Sequence, residues 1–296
     1  MKVNTQDHGP AESVEKYMAA DVTVVIPCYR CADTIERACR SVIEQTLKPK
    51  ELILVEDCSD DAGKTINKLD GIKETYKGEI DSIIIILHKE NGGPAKSRNT
   101  GWDKAGQPYI AFLDADDSWH PRKLEIQYTW MRLHPDATLT GHPTLYIEPH
   151  DALADLPGRW VVRHVEKYPL LLSNRFPTRS VMLRKDIEFR FDPEKRYAED
   201  YLLWLRIVLD GNEAYRLELP LAYSFKPEFG AGGLSKNLWS MERGVLEAFT
   251  KLRDDGTISW SAMSFAAVFS LAKFLRRFMM VLFRKKCHEE IGLFHS

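Results

Sequence analysis

Three carboxylates fall within four residues at Asp114-Ala115-Asp116-Asp117. Like charges at that spacing repel, and a hard divalent cation that prefers oxygen ligands is the usual counter-charge. The same residues also fit a solvated acidic turn whose last Asp leads toward the next helix, so the cluster alone leaves both readings open. Other residues of chemical interest follow apolar runs in the same way. Tyr29, after Pro27 and Cys28, offers a flat amphipathic ring that packs on a base or on protein. Asp57 accepts hydrogen bonds, from a base or ribose hydroxyls in one reading and from a helix start in the other. Arg98 and Lys96 either face phosphates or are solvated helix charges. Neither a Walker loop nor a G-x-G-x-x-G follows the first strand, so a diphosphate here would be held by a metal, Mn2+ or Mg2+, on the acidic turn.

The elements that must position these residues are legible from periodicity. Val22 to Ile26, Glu51 to Val55, Ser82 to Leu87 and Tyr109 to Leu113 are short apolar runs rich in β-branched residues, the pattern of buried strands. Pro27 is expected to stop the first, since proline cannot donate to a ladder. Asp33 with Glu36 reads as a capping box opening a helix to Thr46. A second helix runs to about Lys68, and Pro94 suits the first turn of a third. Strands alternating with helices imply βαβ units and a parallel sheet whose ligands bind at the strands' carboxyl ends. That convergence favours a site over an isolated acidic turn.

The bulk properties fit a globular protein. The chain has 296 residues, an apolar fraction of 44% and a formal net charge of −2, which argues against a general nucleic-acid binder. Five cysteines without a framework rhythm suit a reducing compartment. Cys28 and Cys31 form a CxxC whose structural reading is small residues packing at a strand end. Met1 to Met18 is polar and has no apolar segment of a signal peptide, so the expected location is cytoplasmic.

Val24-Val25-Ile26-Pro27-Cys28-Tyr29, Val55-Glu56-Asp57-Cys58-Ser59-Asp60-Asp61, Asn91-Gly92-Gly93-Pro94-Ala95-Lys96-Ser97-Arg98-Asn99 and Leu113-Asp114-Ala115-Asp116-Asp117 resemble, in order, the motifs of family 2 glycosyltransferases. The likeness covers residues 22–225. It implies a GT-A fold, an α/β architecture with a mostly parallel central sheet flanked by helices, and a nucleotide-sugar donor. By this resemblance Tyr29 and Asp57 contact the nucleoside, usually uridine; Pro27 and Arg98 join them as expected nucleotide-sugar-binding residues. Asp114 and Asp116 form the Asp-x-Asp metal motif, with Asp116 nearest the metal. Glu56 stands where the family usually has Asp, and Cys58 where glycine is common. Glu199-Asp200 opening Leu202-Leu203-Trp204-Leu205-Arg206 reads by itself as helix capping. The resemblance makes Asp200 the catalytic base of an inverting transfer to a glycan or lipid-linked acceptor.

Three segments are expected: a leader over 1–20, a catalytic domain over 21–230 and a helical extension over 231–296. Beyond the acidic turn, Pro121 to His134 reads as a helix, and Ala137 to Ile147, Arg179 to Leu183 and Leu219 to Phe225 as strands. Residues 148–175 are poorly patterned. Residues 226–235 form a glycine-rich loop in which only Lys226 could reach a phosphate. Within 258–286, Ser270, Lys273, Arg277 and Arg284 form a polar stripe on an apolar helix. With Lys285 and Lys286 this suits a helix lying on the anionic inner face of the cytoplasmic membrane, or one packed on the enzyme or in a homodimer. A non-catalytic nucleotide-sugar binder in a glycan-assembly complex and a nucleotidyltransferase are the competing functions, and the intact acidic residues disfavour the first.

Overall fold

The computed structural model describes residues 19–148, 151, 155–226 and 237–292, with 281–292 as backbone alone. The leader, except for its last two residues, and most of the glycine-rich loop thus lie outside the described residues. In chain order the first half comprises β1 (Ala20–Cys28), α1 (Ile35–Ile43), β2 (Pro49–Glu56), α2 (Lys64–Thr75), β3 (Ser82–Leu87), α3 (Gly93–Lys104) and β4 (Tyr109–Phe112). The second half holds β5 (Asp117–Trp119), α4 (Lys123–Leu133), β6 (Ala137–Gly141), β7 (Thr144–Tyr146), β8 (Val162–His164) and α5 (Lys167–Leu172). After a 3-10 turn at Thr178–Ser180 come β9 (Met182–Arg184), α6 (Glu199–Leu209), β10 (Glu213–Leu217), β11 (Ala222–Ser224), α7 (Leu238–Asp254) and α8 (Trp260–Gly292).

An eight-stranded sheet runs in the order β3-β2-β1-β4-β9-β6-β10-β8. The β3-β2-β1-β4 half is parallel throughout, as the βαβ reading requires. The other half is mixed, because β9 runs antiparallel to both β4 and β6. The chain builds outward from β1 through β2 to β3 and then returns to place β4 on the other side of β1. That reversal creates a crevice at the carboxyl ends of β1 and β4. A small second sheet, β5-β11-β7, lies beyond it.

Alternation along the strands feeds two cores. Val24 and Ile26 pack with Ile35, Val42, Leu69 and Tyr128 from α1, α2 and α4. Val25 between them joins Trp102, Phe112, Trp204 and Phe249 on the opposite face, the period-two consequence of a strand buried on both sides. At Gly101 a Cβ would lie 2.3 Å from Val25 Cγ1, so glycine is what lets α3 sit this close to β1. Ala248, Phe249 and Leu252 of α7 share a core with Tyr201 and Trp204 of α6. The C-terminal helices are therefore packed into the body that carries the site.

Several local expectations give way. β1 continues through Pro27, which pairs in register with Val55 of β2. The ladder to β4 ends at Val25, so no strand neighbour on that side asks for the missing N–H. The capping box is not formed: α1 starts after Thr34 without a side-chain cap, and Glu36 pairs with Lys68 instead. The apolar run from Ala137 splits into β6 and β7, which belong to different sheets, with His142-Pro143 between them. The unpatterned stretch contains β8 and α5.

Candidate active site

β4 hands the chain directly to the acidic turn. Leu113 N donates to the Val25 carbonyl at 3.2 Å, and Asp117 N closes the turn on the Asp114 carbonyl at 3.1 Å. Each carboxylate then meets a different cation. Asp114 accepts from Arg98 Nη2 at 2.7 Å. Asp116, the more exposed, accepts from Lys226 Nζ at 2.7 Å. Asp117 lies in β5 and is ion-paired with Arg179 at 2.8 Å. Burial, opposed by Arg179 and reinforced by Asp114 and Asp116, pushes the Asp117 carboxyl up to about 8. For Asp114 burial acts in the same sense, but Arg98 and Arg179 outweigh it and hold the carboxyl below its ordinary value. Arg37 of α1 fixes the turn from outside, donating to the Asp116 carbonyl at 2.8 Å while its guanidinium lies 3.6 Å from the centre of the Phe225 ring.

Arg98 is not turned outward toward a ligand. It is buried, and its second nitrogen donates to Glu199 Oε1 at 2.8 Å. Burial works against its charge, yet Asp114 and Glu199 more than compensate and raise its proton affinity. Neither facing a phosphate nor standing as a solvated helix charge, the two expectations for this position, describes the observed side chain, which ties the acidic turn to the first turn of α6. Lys96, the other basic residue of that helix, pairs with Glu90.

The amino end of α6 carries Glu199 and Asp200 after Ala198, whose φ of 55° is left-handed. Asp200 is half-buried; its Oδ2 accepts from Thr178 Oγ1 at 2.8 Å. That hydroxyl, from the 3-10 turn, orients the carboxylate. No sequence pattern marks Thr178, Arg179 or Arg37 for these roles, because each acts on a residue distant along the chain.

On the β1–β2 side, Tyr29 is 44% exposed and donates to Asp60 Oδ1 at 3.2 Å. Arg30 pairs with the same carboxylate. Pro27 lies just before, in the last turn of the β1 ladder. Asp57 is buried, and its oxygens accept from Gly92 N at 2.9 Å and Gly93 N at 2.7 Å. His88 Nδ1 lies 2.7 Å from the same carboxylate. His88 is the first polar residue after β3, the same strand-end signal that marks Asp57, and it carries no motif of its own. Glu56 holds the following loop by accepting from Cys58 N and Ser59 N at 3.0 and 2.7 Å. Cys58 has φ of 54°, a backbone state that favours glycine and explains why glycine suits this position. Cys28 and Cys31 are buried free thiols.

Of the three carboxylates Asp116 is the most exposed, and so the one that a divalent ion bringing its own phosphate ligands could reach. Among the described residues no group of three or more His, Cys, Asp or Glu could hold a metal by themselves. One or two protein carboxylates completed by substrate phosphates is how magnesium is ordinarily bound. A cation already sits on Asp116 in the form of the Lys226 ammonium.

Comparison with known proteins identifies the family and the fold. The family described as glycosyl transferase family 2 matches residues 23–187. The UDP-Glc:alpha-D-GlcNAc-diphosphoundecaprenol beta-1,3-glucosyltransferase WfgD of Escherichia coli is 30% identical over 193 residues, 64% of this chain and 71% of that protein. TarS residues 1–349 from S. aureus, in complex with UDP-GlcNAc, superpose with a TM-score of 0.61 at 20% identity, over 86% of this chain and 72% of that one. The mannosyltransferase PcManGT from Pyrobaculum calidifontis, in complex with GDP-Man and Mn2+, gives 0.62 at 18% identity, over 87% and 74%. The architecture is that of GT-A glycosyltransferases, and the chain belongs to glycosyl transferase family 2, enzymes that transfer a sugar from a nucleotide sugar.

Proposed function

We propose that this enzyme is a metal-dependent inverting transferase that moves a sugar from a UDP-sugar to a hydroxyl of a glycan or lipid-linked acceptor. The observation that carries the reading is the Arg98 bridge. It joins the acidic turn at Asp114 to the start of α6 at Glu199, the residue before Asp200, and so supports reading the turn and the helix end as parts of one site. Asp200 removes the proton from the acceptor hydroxyl as that oxygen attacks the anomeric carbon from the face opposite the leaving group. Thr178 fixes the direction in which the carboxylate accepts it. Asp116, with Asp114, would hold Mn2+ or Mg2+, which supplies charge neutralisation for the departing nucleoside diphosphate. Tyr29 packs on the base. Asp57 acts there through the Asn91–Gly93 loop, because its oxygens are already engaged by that loop's N–H groups.

The UDP and lipid-linked assignments draw on the named donors and acceptor of the E. coli relative and of TarS. A lipid-linked acceptor would bring the reaction to the inner face of the cytoplasmic membrane. The test is Asp200→Asn: retained UDP-sugar binding with transfer lowered about 10²–10⁴-fold is expected. Full transfer by that variant would overturn the base. Donor binding that ignores both Mn2+ and Asp116→Ala would overturn the metal.

A further inference from the structure

The C-terminal helix turns its polar side inward. Lys273 Nζ donates to the Leu172 carbonyl at 2.9 Å, Arg277 Nη2 to Glu242 Oε2 at 2.9 Å, and Ser270 is buried. Residues three and four apart share a helix face, so the stripe expected to meet headgroups meets the protein instead. What faces outward is mostly apolar, with Arg276 among it. Phe265, Val268, Phe269, Leu275 and Met279 recur at helical spacing and are 40–68% exposed. Trp239 of α7 touches Phe274 edge-on and is itself 62% exposed, which extends the patch onto the neighbouring helix. Contiguous apolar surface on this scale marks an interaction site.

Charge selects the occupant. Arg277 is paired with Glu242, while Arg276 lies on the outward face, and both, with Arg175, are near enough to Lys273 to lower its proton affinity after burial. Arg175 and Arg276 are exposed, and the sequence adds Arg284, Lys285 and Lys286 further along the same helix. A two-fold contact centred on this face would set the cationic cluster against its own copy. Among the described residues no helix is long and apolar enough to cross a membrane. We propose that the exposed apolar face of α8, with Trp239, docks on an anionic lipid leaflet, the helix lying along the surface with the exposed Arg276 and the neighbouring Arg175 at the headgroups. This deepens the reading of a membrane-borne acceptor. Vesicle binding needs no donor or transfer, so its failure leaves Asp200 and Asp116 standing, and theirs leaves it standing.

The full chain is floated with vesicles of phosphatidylcholine alone or mixed with phosphatidylglycerol. Binding is expected only with the anionic lipid, falling about tenfold or more in Phe265→Ser/Leu275→Ser and roughly fivefold in Arg276→Ala. Circular dichroism verifies that the variants are folded. In the unmodified protein, brominated lipids are expected to quench tryptophan emission, a reading that needs no variant. Equal binding to both vesicles, binding unchanged in the double variant, or absent quenching would overturn the proposal. So would a dimer in sedimentation velocity that the double variant abolishes, since a second copy would then cover the face.

Discussion

Replacing Arg98 by Met separates a structural bridge from a phosphate-binding arginine. The side chain keeps its length and apolar stem but loses the charge that two carboxylates contact at 2.7 and 2.8 Å. The Arg98 side chain is only 6% exposed, so solvent cannot stand in for the lost partner. Removing one member of a buried pair leaves uncompensated charge and costs about 3–5 kcal/mol. For a chain of this size that lowers Tm on the order of 10 °C. Adding Glu199→Gln removes a carboxyl that, without Arg98, must either stay charged in a buried place or take up a proton, so the double variant should recover part of the loss, with a coupling of about 1 kcal/mol or more. Thermal and urea unfolding of the donor-free protein measure both quantities. A donor-gripping arginine predicts the reverse: nearly unchanged stability without donor, and donor affinity weakened about ten- to a hundredfold. A Tm shift below about 2 °C in Arg98→Met, together with that loss of affinity, would refute the bridge.

Two further outcomes follow from the same corner of the molecule. Burial, opposed by Arg98 and reinforced by Asp200, raises the Glu199 carboxyl from 4.5 to about 7. The folded protein thus holds that proton more tightly than the unfolded chain, and the resulting stability is complete below pH 4.5 and lost as pH rises through about 7. Relative to Glu199→Gln, unfolding free energy should therefore fall over that interval by at most about 3 kcal/mol; parallel pH profiles would contradict this. At Gly244 of α7 a Cβ would come within 2.7 Å of the Tyr197 carbonyl oxygen, and backbone cannot step aside as a side chain can. Gly244→Ala should cost about 1–3 kcal/mol and lower kcat by disturbing the segment before Asp200. The control is Gly71→Ala in α2, where nothing lies within 4 Å. Equal stability of Gly244→Ala and the unmodified protein would show that α7 does not brace this segment.

What could be read in advance depended on how local its cause is. Val24, Val25 and Ile26 announce a strand buried on both faces, because each side chain's face follows from its own position. The carboxyl ends of such strands then locate Tyr29, Asp57 and the acidic turn without any distant contact. β8 (Val162–His164) and β10 (Glu213–Leu217) escaped because charged residues interrupt them, leaving no apolar run to mark a strand. Pro27 misled in another way: whether a lost N–H ends a strand depends on whether a neighbour needs it there, and that neighbour is β4, over eighty residues on. Arg98 belongs to the same class, since its partner Glu199 is 101 residues away.

The α8 helix marks the deeper limit. Its period correctly groups Ser270, Lys273 and Arg277 on one face, yet a period fixes only which residues travel together. Which face turns inward is decided by whether the body offers partners for the polar side. Leu172 offers a carbonyl and Glu242 a carboxylate, and Glu242 is itself fully buried. A buried carboxylate needs its cation, so the stripe is drawn to the protein and the apolar side is left facing out. The inward polar stripe and the exposed apolar patch thus share one cause. Glu242→Gln, which removes the demand for Arg277, should weaken the packing of α8 on α7 and raise hydrogen exchange along residues 265–280. Unaltered exchange there would mean that apolar packing alone sets the helix's orientation.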